Sequence, residues 1–189
     1  MTPRVYKAEG IILKRKNIGE ADRIITIFTN EYGKLRVIAK GVRKISSRRG
    51  PHLEVFTHVQ VMIHSGKTFE SISEVVPIRA FDNIRKDLKR VSLAYYLCDL
   101  VDNLLAERQE HRDVFGLLID AMGQIEDLDV NTLYSKSKLF TLELLWTLGF
   151  LPRNKSLNGQ ALQAFIETIT ERKLKSTSFA RHLIDPAGG

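Results

Sequence analysis

The sequence is poor in the residues that build covalent or metal-bound scaffolds. Cys98 is the single cysteine among 189 residues, so an internal disulfide cannot form. One thiol also cannot supply the ligands of a closed thiolate zinc site, and the five histidines are scattered along the chain. We therefore expect a protein of a reducing compartment that is stabilised by its hydrophobic core.

Long apolar runs and targeting signals are also missing. No apolar run approaches the ~20 residues that a membrane helix needs. The first ten residues contain no apolar segment of the kind found in secretion signals. With 43% hydrophobic and 27% charged residues, the composition is that of an ordinary globular protein. We expect a soluble cytoplasmic protein that does not bind a membrane.

Common catalytic motifs are absent. The sequence contains no GxSxG, HExxH, GxxxxGKS/T or GxGxxG motif. Glu20 and Asp22 are two residues apart and could share a strand face, where paired carboxylates can act in acid–base catalysis or bind magnesium. Because Arg23 follows them directly, we interpret the pair as the ion-paired start of a strand. We expect no enzymatic activity, and a magnesium-dependent nuclease built on this pair is a minor alternative.

The excess positive charge lies entirely in the first part of the chain. Residues 1–80 hold 15 Lys and Arg against 7 Asp and Glu, a net charge of +8. Residues 81–189 hold 14 against 15, a net charge of −1, and the two parts together give the +7 of the whole chain. A basic part joined to a neutral part indicates one module that meets a polyanion and a second module with a different role.

One basic stretch carries most of this charge. Seven cations fall between positions 34 and 49, and no acidic residue occurs from position 32 to position 53. A charge run is often only a solvated face, but the net charge of the whole module agrees with this run. We therefore predict binding to a phosphate backbone. The side chains predicted to bind nucleic acid are Lys14, Arg15, Lys16, Arg23, Lys34, Arg36, Lys40, Arg43, Lys44, Arg48 and Arg49.

The same part of the chain has the two-residue period of β-strands. Val59, Val61 and Ile63, for example, alternate with Gln60 and Met62. The predicted strands are 4–15, 22–29, 34–41, 53–64 and 68–77. Five antiparallel strands in so short a segment favour a small closed barrel. A five-stranded barrel with one basic face fits the OB (oligonucleotide-binding) fold.

After residue 80 the hydrophobic period becomes helical. Apolar residues step by three or four through residues 88–105 and 114–125. Further helices are predicted at 133–150, 161–169 and 178–185. The predicted fold class is therefore α+β with two domains: a five-stranded OB-fold β-barrel at 1–80, and an all-α helical domain for protein docking at 81–189.

Several short motifs together resemble the RecO family of bacterial DNA repair proteins. In the family's order and spacing they are EGIILK at 9–14, GEADR at 19–23, FTNEYGK at 28–34, AKGVR at 39–43 and SRRG at 47–50. The resemblance continues in LGFLP at 148–152 and in LKS at 174–176 with Phe179, so it spans nearly the whole chain. Each motif alone is weak, whereas the ordered set is specific.

This resemblance implies a recombination mediator that is not an enzyme. A member of the family binds single- and double-stranded DNA through its N-terminal OB domain and anneals complementary strands. It engages the acidic C-terminal tail of single-stranded-DNA-binding protein through its helical domain, and with RecR it helps load RecA onto strands coated by that protein. We accordingly expect association with the nucleoid. The cations of the helical domain to test for tail binding are Lys136, Lys138 and Arg153.

The chain departs from the family pattern in one respect. Many members carry a four-cysteine zinc ribbon just after the LGFxP segment, whereas residues 153–157 lead into the next predicted helix without a cysteine. We therefore predict that the ribbon is missing and that the protein binds no zinc or other cofactor.

A second class of function is compatible with the same residues. The basic barrel of a protein–protein adaptor would bind an acidic protein instead of DNA. Salt dependence separates the two functions, because the release of counterions from DNA predicts a steep loss of affinity as salt rises.

Overall fold

The computed structural model of the protein describes residues 4–66 and 68–170. These residues divide into two compact units. One unit holds the described residues up to Phe81 together with Leu105–Phe115, and the other holds Asp82–Leu104 and the described residues from Gly116 onward. The boundary predicted at residue 80 stays a prediction, and the structure adds residues 105–115 to the first unit. The predicted helix at 178–185 and the LKS motif at 174–176 lie outside the described residues.

A closed five-stranded barrel forms the first unit. Its strands are β1 (Val5–Ile18), β2 (Asp22–Thr29), β3 (Gly33–Ala39), β4 (His58–His64) and β5 (Glu70–Arg79). Around the barrel the order is β1-β2-β3-β5-β4, and every neighbouring pair is antiparallel except β3 and β5. This is the strand order of the OB fold. The predicted N-terminal OB barrel is therefore confirmed.

Alternating apolar residues build the barrel interior. Branched aliphatic side chains at every second position of a strand point to one face, and closure of the sheet collects these faces into one core. The alternation read from the sequence of β4 is confirmed, and Leu35 and Val37 of β3 follow the same pattern. The inward-facing buried residues include Ile12, Ile25, Ile27, Leu35, Val37, Val59, Val61 and Ile63.

The strand predicted at 53–64 is too long at its N-terminal end. Pro51 lies in a 3₁₀ turn, Gly50–Leu53, and β4 begins only at His58. Phe56 has a φ of 72°, a left-handed conformation that cannot continue a strand. Its side chain is nevertheless buried, and burial of the ring offsets the backbone strain. The apolar residues of this stretch fill the core from a loop.

Four α-helices lie in the described residues beyond the barrel strands: α1 (Leu88–Leu104), α2 (Arg112–Asp127), α3 (Val130–Thr147) and α4 (Gly159–Thr170). The predicted helical domain is confirmed in this range. The apolar stripe predicted on α1 passes through Leu88, Tyr95 and Cys98. It is wrong in part, because Leu88 and Tyr95 are exposed whereas Leu93 and Leu97, outside the stripe, are buried. Burial raises the pKa of Tyr96 to about 12. Within the described residues, none of the helices has the length and apolar character needed to cross a membrane.

Residues 105–115 pack against the outside of the barrel. The Arg108 backbone N–H donates to the Lys34 carbonyl over 2.9 Å, and the Phe115 ring meets the Phe28 ring edge-on at 5.8 Å between centroids. At Gly33, which has a φ of 66°, an added Cβ would overlap the backbone of Gln109. This close approach requires glycine for two reasons, the positive φ and the lack of space.

Replacing Gly33 by alanine should destabilise the protein by about 2–4 kcal/mol, because the methyl group meets backbone that cannot yield. Gly19→Ala is the matched control: Gly19 also has a positive φ of 54°, but no atom lies within 4 Å of the added Cβ. Gly19→Ala should lower the free energy of unfolding only by the backbone strain of alanine at a positive φ, about 1 kcal/mol. Urea unfolding followed by circular dichroism measures both values, and equal costs would contradict the tight packing of residues 105–115 on β3.

Candidate nucleic-acid interface

Three neighbouring strands present cations on one outer face of the barrel. In the strand pairing, Lys14 of β1 lies opposite Thr26 of β2, and Thr26 lies opposite Arg36 of β3, so the three residues form one row across the sheet. The next row runs from Lys16 through Ile24 to Ile38. We call the six residues of these rows the β1–β3 face: Lys14, Lys16, Ile24, Thr26, Arg36 and Ile38.

The cations of the β1–β3 face are exposed, whereas Ile24, Thr26 and Ile38 are half-buried. Adjacent strands lie about 4.8 Å apart, so Lys14 and Arg36 start about 10 Å apart. The face therefore combines charged side chains that can reach a phosphate backbone with an apolar floor.

A β-bulge turns the two lysines of β1 outward. Ile12 pairs with Ile27 and faces the core, but the register shifts between Ile12 and Lys14. Simple alternation would place Lys14 on the same side as Ile12. The extra residue at the bulge instead places Lys14 opposite Thr26, on the outer face.

Arg15 and Arg23 share a single carboxylate. The guanidinium of Arg15 lies 3.0 Å from Glu54, and that of Arg23 lies 3.1 Å from the second oxygen of the same carboxylate. Arg23 also donates to the Asn17 side chain over 3.2 Å, and its own side chain is only 15% exposed. Much of the positive charge predicted for nucleic-acid binding at these two positions is thus neutralised within the protein.

Lys34 is covered by the segment that follows α1. It lies two positions from Arg36 and on the same side of β3, but the residue is only 7% exposed. Residues 107 and 108 lie over it, through a bridge between Lys34 and Glu107 and the hydrogen bond from Arg108. Arg36, two positions further along β3, remains exposed.

The predicted basic stretch after β3 is a loop that is tied to the barrel. We call residues 40–49 the basic loop. Near its start the Gly41 N–H donates to the Asp22 carboxylate over 2.7 Å, and Arg43 donates to the Ala21 carbonyl from its backbone N–H over 2.9 Å. Val42 is buried in the barrel core. The Asp22 side chain therefore serves to hold the loop.

Arg49 fastens the other end of the basic loop. Its guanidinium donates to the Ile72 carbonyl of β5 over 2.6 Å and to the Lys40 carbonyl over 2.7 Å. Between these anchors the side chains of Arg43, Lys44 and Arg48 are exposed. The loop thus contains cations of two kinds: Arg43 and Arg49 bind the protein's own backbone, whereas Lys44 and Arg48 face solvent.

The first turn of the barrel meets the start of the basic loop. The guanidinium of Arg43 donates to the carbonyl of Gly19, in the turn between β1 and β2, over 3.1 Å. This turn closes the end of the β1–β3 face at which Lys16 lies. Lys40 directly follows β3 and is exposed. The basic loop and the β1–β3 face therefore form one adjoining basic surface.

Aromatic side chains for base stacking are scarce on this surface. Phe69, in the turn between β4 and β5, is 57% exposed, whereas Tyr6, Phe28 and Phe56 are buried. Burial raises the pKa of the Tyr6 hydroxyl above its usual range, and its hydrogen bond to Glu70 adds to this shift.

The sequence pointed neither to Arg108 nor to the apolar floor of the β1–β3 face. Arg108 lines one cleft with Arg36 and Phe69, and its guanidinium lies 2.8 Å from Glu70. It comes from far along the chain, so no local pattern could have indicated it. Ile24 and Ile38 could have been found, because they alternate with core residues on their strands.

The three cations predicted to bind an acidic tail do not form one cluster. Lys136 is exposed on α3 beside a groove that is also lined by Leu97 and Phe140. Lys138, two residues along the helix, lies on another side of α3 and is hydrogen-bonded to Asn158. Arg153 is exposed after the end of α3. These placements single out Lys136 as the cation beside an apolar groove.

No metal centre occurs among residues 4–66 and 68–170: these ranges hold no group of three or more His, Cys, Asp or Glu side chains placed to bind an ion. Cys98 is buried in α1. Glu20 is exposed, and Asp22 is engaged by the basic loop. The expected absence of zinc stays a prediction.

Comparison with known proteins gives two family matches that follow one another along the chain. Residues 1–81 match the model described as "Recombination protein O N terminal", and residues 85–156 match "Recombination protein O C terminal".

Individual relatives agree with the family matches. The chain is 37% identical over 154 residues to DNA repair protein RecO of Roseiflexus sp. (strain RS-1), which covers 81% of this chain and 53% of that protein. It is 34% identical over 151 residues to DNA repair protein RecO of Symbiobacterium thermophilum, and this match covers 78% of this chain and 58% of that protein. The chain therefore spans about half the length of the curated relatives it matches.

The two arginines at the end of the basic loop should differ sharply in their effect on stability. Arg49→Leu removes the hydrogen bonds to the Ile72 and Lys40 carbonyl groups and leaves both without their charged donor, so the free energy of unfolding should fall by about 1–3 kcal/mol. Arg48→Leu, the matched control at an exposed side chain, should change stability by no more than about 0.5 kcal/mol. Thermal unfolding followed by circular dichroism measures the stability of both variants. Equal losses of stability would show that the Arg49 contacts do not stabilise the fold.

Proposed function

The chain belongs to the RecO family of recombination proteins, and on that premise we propose that it binds DNA through its barrel and acts in DNA repair and recombination. The observation that carries the proposal is the adjoining basic surface. The β1–β3 face supplies Lys14, Lys16 and Arg36, and the basic loop continues it with further exposed cations. In OB folds this outer face and the flanking loops bind oligonucleotides.

Electrostatic attraction to phosphates is the main source of affinity in this proposal. Each phosphate neutralised by a lysine or arginine releases condensed counterions, which favours binding without regard to sequence. The β1–β3 face offers Thr26 and aliphatic side chains beside the cations, and it lacks the paired amide or carboxylate groups that read base edges. We therefore propose that both single- and double-stranded DNA are bound, with little sequence preference.

Annealing of complementary strands follows from the same physics. Two strands repel one another through their phosphates, and a basic surface that holds one strand lowers the repulsion met by the second. The protein would act as a mediator and not as an enzyme, since binding alone promotes the pairing. By analogy with its family we place this step at the nucleoid, on strands coated by single-stranded-DNA-binding protein, where with RecR it helps to load RecA.

The helical unit is the proposed docking site for the acidic C-terminal tail of single-stranded-DNA-binding protein. The groove beside Lys136 is lined by apolar side chains, among them Leu97, Leu139 and Phe140. A tail that carries both carboxylates and apolar side chains can pair with the lysine and bury its apolar part in the groove. Asp120 and Glu143 also line the groove, and their charge should limit the number of tail carboxylates accommodated there.

Charge removal on the basic surface should flatten the salt dependence of DNA binding. We expect the triple variant Lys16→Gln, Arg36→Gln, Lys44→Gln to lose about 2 units of the slope of log K against log salt on single strands, because each lost phosphate contact removes about 0.7. The measurement is fluorescence anisotropy with a labelled oligonucleotide between low and moderate salt. Strand annealing by the same variant should slow in parallel.

The matched control changes the net charge equally at exposed cations elsewhere, with Lys7→Gln, Lys89→Gln and Arg153→Gln. Its slope should stay close to that of the unmodified protein. Equal slopes for the test and control variants would contradict the assignment of the basic surface. Weak binding with little salt dependence in the unmodified protein would instead favour an adaptor that binds an acidic protein.

Tail binding should depend on Lys136 and not on Lys138. Lys136→Glu places a like charge beside the groove, and we expect affinity for a peptide of the acidic tail to fall about tenfold, which corresponds to about 1.4 kcal/mol. Lys138→Glu, on another side of α3, should change affinity by less than about twofold. Isothermal titration with the peptide tests both variants, and a larger loss for Lys138→Glu would place the site elsewhere.

A further inference from the structure

The tip of the basic loop carries a fully exposed aliphatic side chain. Ile45 has a relative exposure of 107%, so the folded protein leaves its entire side chain in water. It directly follows Arg43 and Lys44 and precedes Arg48 by three residues. A single exposed apolar residue is common on protein surfaces. At this position, however, the cations of one loop would bring that residue against DNA.

The backbone holds Ile45 in a defined position. The Ser47 N–H donates to the Lys44 carbonyl over 2.9 Å, which closes a four-residue turn with Ile45 as its second residue. The Lys44 N–H in turn donates to the Gly41 carbonyl over 3.2 Å. Since Arg43 and Arg49 fasten the loop on both sides of this turn, Ile45 projects from an anchored tip.

We propose that Ile45 is a wedge that inserts between neighbouring base pairs of duplex DNA and unstacks them. The inference rests on the proposed DNA binding of the basic loop and adds to it the role of one residue. Lys44 and Arg48, on either side of the tip, would hold the phosphates that flank the opened step. Insertion removes the isoleucine side chain from water, which offsets part of the lost stacking.

Duplex insertion fits an isoleucine better than contact with a single strand does. Proteins stack single-stranded bases on aromatic rings, because a flat π-face matches a base. Aliphatic side chains such as isoleucine and leucine act in other proteins as wedges between base pairs, where bulk and not planarity is required. The wedge should favour pyrimidine–purine steps such as TA, which unstack most easily.

The test uses the full chain and a short duplex with 2-aminopurine at a central TA step, since fluorescence of this base rises when it is unstacked. The unmodified protein should raise the fluorescence several-fold on saturation, and Ile45→Ser should abolish that rise. Ile45→Leu should retain it. Ile78→Ser is the matched control, because Ile78 is 51% exposed on β5, outside the basic loop and the β1–β3 face.

Affinity for a single strand, measured in parallel, separates this inference from the proposed function. Ile45→Ser should bind the single strand within about twofold of the unmodified protein and with the same salt slope, because no phosphate contact is lost. If Ile45→Ser binds the duplex and still produces the full rise, or if the unmodified protein binds without any rise, the wedge is refuted while DNA binding stands. Failure of the unmodified protein to bind either DNA would refute both.

Discussion

The seam between β3 and β5 is the contact on which the barrel depends. The two strands are the parallel pair of the closed sheet, and their ladder joins Val37 to Glu70 and Ile38 to Ser71. Arg49 extends this short seam, because its guanidinium binds the Lys40 carbonyl just after β3 and the Ile72 carbonyl of β5. A side chain from the intervening loop thus takes over where backbone pairing ends.

Contacts within the barrel, at the seam and elsewhere, determine which arginines are available to bind other molecules. At the other end of the seam the Glu70 carboxylate accepts a hydrogen bond from the Tyr6 hydroxyl and lies 2.8 Å from the Arg108 guanidinium. Arg49 is occupied by backbone carbonyls, and Arg15 and Arg23 share the Glu54 carboxylate. The surplus charge that the composition shows is therefore divided. Arg15, Arg23 and Arg49 serve the fold, whereas Arg36, Lys44 and Arg48 face solvent.

Local pattern was enough to predict the barrel. Period-two alternation in β3 and β4 follows directly from burial of one strand face, and this signal needs no knowledge of distant residues. Prediction failed where the environment of a residue is set by contacts with residues far away in the sequence. The position of Lys34 in the strand pattern is that of an exposed residue, but residues 107 and 108 cover it. The bulge near Lys14 moves that side chain to the opposite face of the sheet, and nothing in the sequence indicates the bulge.

The basic surface was predictable in outline for the same reason. Charge density is a property of the sequence, whereas the partner of each charge is set by the fold. The count of cations between positions 34 and 49 indicated a polyanion-binding region. It could not show that Arg49 binds a carbonyl group of β5 or that the Ile45 side chain is fully exposed at the tip of the basic loop. The strand predicted to begin at residue 53 was wrong for the opposite reason: Phe56 has a left-handed backbone conformation and buries its ring from a loop.

The return of residues 105–115 to the barrel has a consequence for synthesis of the protein. Phe28 is fully buried and meets Phe115, and Gly33 lies against Gln109, so the barrel surface is incomplete until the chain has been translated past residue 115. During translation α1 therefore leaves the ribosome before the barrel has its last covering segment. Such a long separation between contacting residues slows the final step of folding. A barrel that folds before residues 105–115 are available would expose the Phe28 ring, and exposed apolar surface of this kind favours aggregation.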